Sequence, residues 1–172
     1  RFIEDTDVNQ KTVLEVGSGS GISSLRAAQK GASVCAIDIN ASAVELLRKN
    51  ANKNTLSLTI LESDLFDNLE NNQWDYVLIN PPFYPKKAEN EKDQAWFCGP
   101  EFEYFEKLFS QMNEHAIHDN IYMTLSDDCD MDSIQKKASS YGYSFSEIKR
   151  ERSFFELNFL YLITKSTQKE KK

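Results

Sequence analysis

Three groups of residues in this chain have the types and spacing to do chemistry: Glu15-Val16-Gly17-Ser18-Gly19-Ser20-Gly21, the acids Asp38 and Asp64, and Asn80-Pro81-Pro82-Phe83. Glycines at a strand end let the backbone turn sharply and leave no side chain between it and a ligand. A helix starting just after them offers N–H groups to a carboxylate or phosphate. Asp38, closing an apolar run, can accept from the two hydroxyls of a ribose. Asp64 can accept from an adenine amino group. Acids at successive strand ends share one crevice, where open α/β sheets bind ligands. The dinucleotide fingerprint G-x-G-x-x-G does not fit, because position 22 is Ile22.

The last of these groups is different in kind. Pro81 and Pro82 have fixed φ and no N–H, so they make a stiff turn that neither a helix nor a sheet interior tolerates. Such a turn suits a reaction that works by alignment. The Asn80 side-chain oxygen and the Pro81 carbonyl are two acceptors that can hold both N–H groups of a planar amide or aryl amine. Phe83 offers a flat face on which that group can stack.

These groups need strand ends to carry them. Short apolar runs alternate with segments of helical period, the pattern of an α/β sheet built from crossovers. Strands are predicted at Thr12–Val16, Ser33–Ile37, Ser57–Leu61, Trp74–Ile79, Asn120–Leu125, Tyr143–Lys149 and Leu157–Thr164. Helices are predicted at Ile22–Lys30, Ala41–Lys53, Glu101–Glu114 and Asp130–Tyr141, and a polar single turn between Asp64 and Trp74. The third helix carries Phe102, Phe105, Leu108, Phe109 and Met112 as a core-facing stripe. The last two strands have no helix between them, and parallel strands cannot be joined so briefly. The expected fold is therefore Rossmann-like: five parallel strands plus a C-terminal antiparallel hairpin, helices on both faces. Residues 1–11 read as a lead-in, 12–164 as one domain and 165–172 as a polar tail.

In this order, the glycine loop, the two acidic strand ends and an Asn-Pro-Pro-aromatic motif after the fourth strand resemble the class I S-adenosylmethionine-dependent methyltransferases. The resemblance covers nearly the whole chain. It implies that Gly17, Gly19 and Gly21 line the methionine part of the cofactor and that Glu15 lies near its ammonium through water. Asp38 would hold the ribose, with Ile39 or Asn40 beside the adenine, and Asp64 with the Leu65 backbone would read the adenine edge. Asn80-Pro81-Pro82-Phe83 resembles the motif of amino-nitrogen methyltransferases, which include release-factor glutamine methyltransferases and several rRNA guanine and tRNA adenine methyltransferases. Trp96-Phe97-Cys98-Gly99-Pro100-Glu101 resembles a glycine-containing segment of many members, with Cys98 where a double glycine is commoner. Methyl transfer to such a nitrogen is an in-line displacement in which alignment counts most and no strong general base is needed. The acceptor stays open between an RNA base and a protein glutamine. A non-catalytic cofactor-binding module is the alternative, and a nicotinamide oxidoreductase is disfavoured by the loop spacing.

Composition narrows the field. The 172 residues are 40% apolar and 27% charged, as in a globular domain. Net charge −7 and a pI near 4.9 disfavour non-specific nucleic-acid binding, which rests on many Lys and Arg. Lys86-Lys87, Lys136-Lys137 and Lys149-Arg150-Glu151-Arg152 remain local basic patches. No stretch approaches the ~20 apolar residues of a membrane span, so a cytoplasmic protein, monomeric or weakly dimeric, is expected. Because the first residue is Arg1 rather than Met and the first predicted strand starts only at Thr12, an upstream segment, cut away or simply not included, is expected. Cys35, Cys98 and Cys129 have no paired spacing and read as reduced thiols in apolar surroundings, and no metal site is expected. His115 and His118 read as surface residues, and Phe154 and Phe155 as core or as cover for the site.

Overall fold

The computed structural model describes residues 2–70, 73–90, 92–153 and 156–166. The chain divides into two compact units, Arg1–Asn80 and Pro81–Lys172. Among the described residues there are seven strands, and the fold is the expected α/β one, a mixed sheet with parallel strands first and an antiparallel hairpin last.

The first unit contains α1 (Phe2–Asp5), β1 (Thr12–Val16), α2 (Ile22–Gln29), β2 (Ser33–Asp38), α3 (Ala41–Lys53), β3 (Thr59–Glu62) and β4 (Tyr76–Ile79). Its strands run parallel in the order β3-β2-β1-β4. Val13, Leu14 and Val16 of β1, Val34 to Ile37 of β2 and Val77 to Ile79 of β4 are buried. Near-continuous burial of this kind marks strands covered on both faces. Helix α3 buries Val44, Leu47 and Ala51 and is capped by Asn40, whose side chain accepts from the N–H of Ser42 at 2.8 Å and Ala43 at 3.4 Å.

Two predicted strands start late here, for separable reasons. Strand β4 begins at Tyr76 rather than Trp74 because Asp75 is used as a side-chain clasp. Its Oδ2 accepts from the Thr12 N–H at 2.8 Å and from the Thr12 hydroxyl at 3.0 Å, and its own N–H donates to Thr12 Oγ1 at 3.0 Å. Those bonds hold the Asp75 carboxyl below the usual carboxylate range. Strand β3 begins at Thr59 rather than Ser57 because it lies at the sheet edge and β2 offers its first partner, Cys35, only opposite Thr59.

The second unit contains a 3-10 turn (Asp93–Ala95), α4 (Glu103–Glu114), β5 (Ile121–Ser126), α5 (Met131–Ser140), β6 (Tyr143–Ser153) and β7 (Glu156–Lys165). Its strands are antiparallel in the order β5-β7-β6. The predicted stripe on α4 is the core face, with Phe105, Leu108, Phe109 and Met112 inaccessible to solvent. Each contributes about 1.5–3 kcal/mol by burial. Phe109 continues into a run of rings through Tyr143, Phe145, Tyr161 and Phe159, with centroids 5.6–6.2 Å apart. The helix begins at Glu103, not Glu101, because Phe102 at φ 59° is left-handed and cannot continue a helix backwards.

The hairpin is longer than its apolar pattern. Strand β6 runs through Lys149-Arg150-Glu151-Arg152 to Ser153, past a bulge that leaves half-exposed Ile148 between Glu147 and Lys149. Ladder hydrogen bonds to β7 carry the charged half, and they do not depend on side-chain type. Lys165, expected in the tail, closes β7 and donates its N–H to the His118 carbonyl at 3.1 Å. Phe154, Phe155 and residues 167–172 lie outside the described residues.

Candidate functional site

Strand register brings most of the predicted residues of the first unit to one edge. Val16 stands beside both Ile37 and Ile79, and Asp38 beside Glu62. The next residues along, Gly17, Ser63 and Asn80, therefore leave the sheet on the same side as Asp38. A side chain at Gly17 would place its first carbon 3.9 Å from the Asn80 carbonyl oxygen. The first residue of the Asn-Pro-Pro motif thus adjoins the glycine loop. Asn80 itself is exposed.

The loop turns through three left-handed glycines, with φ of 71°, 52° and 78° at Gly17, Gly19 and Gly21. A Cβ at Gly21 would lie 2.0 Å from Leu47 Cδ1, whereas one at Gly19 would meet nothing within 4 Å. Gly21 is therefore required for packing on α3, and Gly19 faces open space. Most of the loop's N–H groups are engaged within the fold. Gly17 and Ser18 both donate to the Ile37 carbonyl at 2.9 Å, Gly21 donates to Ser18 at 2.8 Å, and Gly19 donates to Asp38 Oδ2 at 2.8 Å.

Glu15 has a structural task that its sequence position does not announce. Gly21 caps α2 without a side chain, and Glu15 Oε2 supplies what is missing by accepting from the Ser24 N–H at 2.9 Å and from the Ser24 hydroxyl. Burial raises the Glu15 pKa above the carboxylate range against those hydrogen bonds. A carboxyl with a higher pKa folded than unfolded binds its proton more firmly in the fold. Its contribution to stability is therefore lost as pH rises from the unfolded value through the folded one. Glu15→Gln is neutral and keeps an acceptor for Ser24. Urea unfolding at about pH 5 and about pH 8 should show wild type losing more stability than the variant over that interval. Equal losses would mean that burial does not govern this carboxyl.

Asp38 joins two segments. Its Oδ2 takes the Gly19 N–H and its Oδ1 takes the Asn40 N–H at 2.9 Å, leaving lone pairs on each oxygen for further donors. Ile39, between Asp38 and the cap Asn40, is 48% exposed, unusual for an isoleucine in a well-packed unit. Beyond β3, buried Ser63 builds the turn. Its N–H donates to the Asp38 carbonyl at 2.9 Å, its hydroxyl donates to the Leu65 carbonyl at 2.8 Å and accepts from the Asn68 N–H at 3.0 Å. The turn sets Asp64 just past the strand end and Leu65 in the left-handed region at φ 54°.

In the second unit, buried Pro81 and partly buried Pro82 and Phe83 lead into Tyr84, whose ring lies 4.6 Å from that of Phe83. Tyr84 forms a parallel bridge with Phe97. Its N–H donates to the Trp96 carbonyl at 3.0 Å, and its carbonyl accepts from the Cys98 N–H at 2.9 Å. Gly99 donates to the Lys86 carbonyl at 3.1 Å. The segment Trp96-Phe97-Cys98-Gly99 is thus laced to the residues after Phe83, leaving Trp96 60% exposed. Burial pushes the Cys35 and Cys98 thiols up to about 11, and raises Cys129 as well, so these are protonated, unreactive groups. His118 Nε2 lies 3.4 Å from Lys165 Nζ, and that ammonium sits over the Tyr143 ring.

Residues not singled out from sequence also belong to this edge. Ser24 and Ser63 hold Glu15 and the Asp64 turn, and Ile22, at the start of α2, is 78% exposed. Ser18 is buried, and its hydroxyl has no hydrogen-bond partner among the described residues. Serines within a glycine loop look like spacers, and only coordinates separate a spacer from a clasp.

Residues 2–97 match the family described as methyltransferase small domain. The chain is 44% identical over 91 residues to a protein of Methanocaldococcus jannaschii assigned provisionally as a protein N5-glutamine methyltransferase, covering 52% of this chain and 45% of that one. It is 31% identical over 149 residues to the ribosomal protein L11 methyltransferase of Thermotoga maritima, covering 85% and 48%. The chain spans about half the length of these curated relatives. Its fold is that of the E. cuniculi Mtq2-Trm112 complex structure, responsible for methylation of the termination factor eRF1. That match has a TM-score of 0.68 at 18% identity, over 95% of this chain and 88% of that one.

Proposed function

We propose, from the premise that this chain belongs to the methyltransferase small domain family, that it is an S-adenosylmethionine-dependent N-methyltransferase whose acceptor is the side-chain amide of a protein glutamine. The observation that carries this reading is the approach of Asn80, first residue of the Asn-Pro-Pro-Phe motif, to Gly17 of the loop. A methyl donor and the group that aligns its acceptor have to be neighbours.

The residues fit the cofactor. Gly19 leaves room for a ligand against the backbone. Ser18 has a buried hydroxyl with no partner among the described residues, and Ile39 presents an apolar surface for a purine. Asp38, with lone pairs to spare, would take the ribose hydroxyls. Asn40 spends its side chain on α3, so its part beside the adenine falls to its backbone. Asp64 and the Leu65 N–H suit the adenine edge. Glu15 would act at the ammonium, whose charge would draw its carboxyl back towards the ionised form.

When bound, the cofactor supplies an electrophilic methyl on a sulfonium. The protein's share is alignment. Asn80 Oδ1 and the Pro81 carbonyl accept the two amide N–H groups, and Phe83 stacks against the amide plane. A fixed lone pair in line with the methyl replaces a search through orientations. The nitrogen becomes acidic once methylated and releases its proton to water.

Two things favour a protein acceptor over RNA. The similarity to the Methanocaldococcus protein is the first. The second is that Arg150, in the basic run that suggested nucleic acid, is held by Glu147 through two hydrogen bonds of 2.6 and 2.9 Å. Calorimetric titration should give a saturable isotherm with S-adenosylmethionine and none with reduced nicotinamide cofactors. No heat at millimolar cofactor would remove the basis of this proposal.

A further inference from the structure

We infer that the exposed indole of Trp96 is a docking face for the acceptor polypeptide beside its target glutamine, an inference that rests on the glutamine reading above. Tryptophan is a large apolar side chain that folded proteins mostly bury, and here it is 60% exposed. Its backbone is nonetheless fixed on both sides. The Trp96 N–H donates to the Asp93 carbonyl at 2.9 Å, closing the 3-10 turn, and its carbonyl accepts from the Tyr84 N–H at 3.0 Å. A rigid, accessible aromatic offers a large contact area at little cost in conformational entropy, which is why binding surfaces concentrate their energy in such residues.

Register says what this face would touch. The parallel bridge of Tyr84 with Phe97 puts Phe83 opposite Trp96, and paired backbones lie about 4.8 Å apart. Phe83 is the residue assigned to the acceptor amide. A glutamine's main chain lies only a short side chain behind that amide, and its neighbours follow at about 3.8 Å, so the residues flanking the glutamine fall within reach of the indole. Charge favours a polypeptide here over a nucleic acid. The Tyr84 hydroxyl donates to Asp128 Oδ2 at 3.4 Å, and burial, with the charges of Asp128 and Glu156, raises that phenol above its ordinary value. Phosphates would meet like charge at this spot. Of the adjoining lysine pair, Lys86 holds its ammonium over the Phe97 ring.

The test compares wild type, Trp96→Ala and Trp96→Phe in steady-state methyl transfer to two probes. One is N-acetylglutamine N-methylamide, too short to extend past the glutamine, and the other is a mixed-sequence nonapeptide library with glutamine at its centre. Trp96→Ala should raise the apparent KM for the library roughly ten- to fiftyfold. Its kcat, and its transfer to the small amide, should stay within about twofold of wild type, as when an interaction equal in ground and transition states is lost. Trp96→Phe keeps a flat ring and should recover part of the loss. Both variants should melt with wild type, because truncating an exposed side chain leaves no cavity. An unchanged KM for the library in Trp96→Ala would overturn the inference and leave the glutamine reading standing. Equal loss with both probes, or a loss in kcat alone, would also overturn it, since the indole would then be shaping the Asn-Pro-Pro turn. Wild type that methylated neither probe, or a mixed-sequence oligoribonucleotide in their place, would overturn the glutamine reading together with the inference.

Discussion

Asn80→Ala should lower kcat for methyl transfer by about 100- to 1,000-fold, the scale on which removing one preorganised hydrogen-bonding group from a reacting centre acts, while cofactor affinity stays within about threefold. The amide nitrogen of glutamine is a weak nucleophile because its lone pair is spread into the carbonyl. Its reactivity depends on being held in line, and in the proposed mechanism Asn80 would supply one of the two acceptors that hold it. The effect should fall on kcat rather than on folding. Asn80 is exposed beyond the last residue of β4, so truncation opens no cavity. The Asn80 atom that faces Gly17 is its backbone carbonyl oxygen, which alanine retains. Single-turnover transfer of labelled methyl, measured beside a cofactor titration, separates the two effects. Turnover within tenfold of wild type would show that Asn80 does not align the acceptor.

Asp38→Ala should weaken S-adenosylmethionine binding by roughly 100-fold and also destabilise the unliganded protein by about 2 kcal/mol. The double effect follows from the double use of the carboxylate. It would accept from the ribose, and it already accepts from the N–H groups of Gly19 and Asn40. Removing it leaves two partly buried donors unmatched and frees both the glycine loop and the start of α3. Asp38→Asn retains one acceptor oxygen and should fall between wild type and alanine on both scales. Cofactor titration and urea unfolding of the three proteins check this. A normal affinity in Asp38→Ala would remove Asp38 from the ribose site. A normal stability would mean that the two N–H groups are satisfied by water.

Much of the architecture could be read from residue pattern, and several of the misses share a cause. The apolar runs of β1, β2 and β5 and the stripe on α4 were legible because burial on a sheet or helix face imposes a period. Boundaries went astray where hydrogen bonding overrode that period. Asp75 occupies Thr12 with its side chain in place of a ladder bond, and Phe102 stops α4 with a left-handed residue. The charged half of β6 continues because β7 pairs with it and not because its side chains alternate. The short helix α1 gave too little length for any period to register; it is held instead by Lys30, whose Nζ donates to the carbonyls of Ile3, Glu4 and Thr6 at 2.7–2.9 Å.

The sequence by itself determined the order of the chemical groups: a glycine loop, two acids at strand ends, and a stiff Asn-Pro-Pro turn at the end of a fourth apolar run. Those follow from local rules, because strand ends, positive φ and proline geometry depend on a residue and its near neighbours. The tertiary structure decided which of those groups still have hydrogen-bonding capacity. Glu15 is drawn into capping α2, Asn40 into capping α3, and four loop N–H groups into the fold, while the Ser18 hydroxyl has no partner among the described residues. Each donor is counted against acceptors from strands and turns far away in the chain, so that balance exists only once the register of β1, β2 and β4 is set.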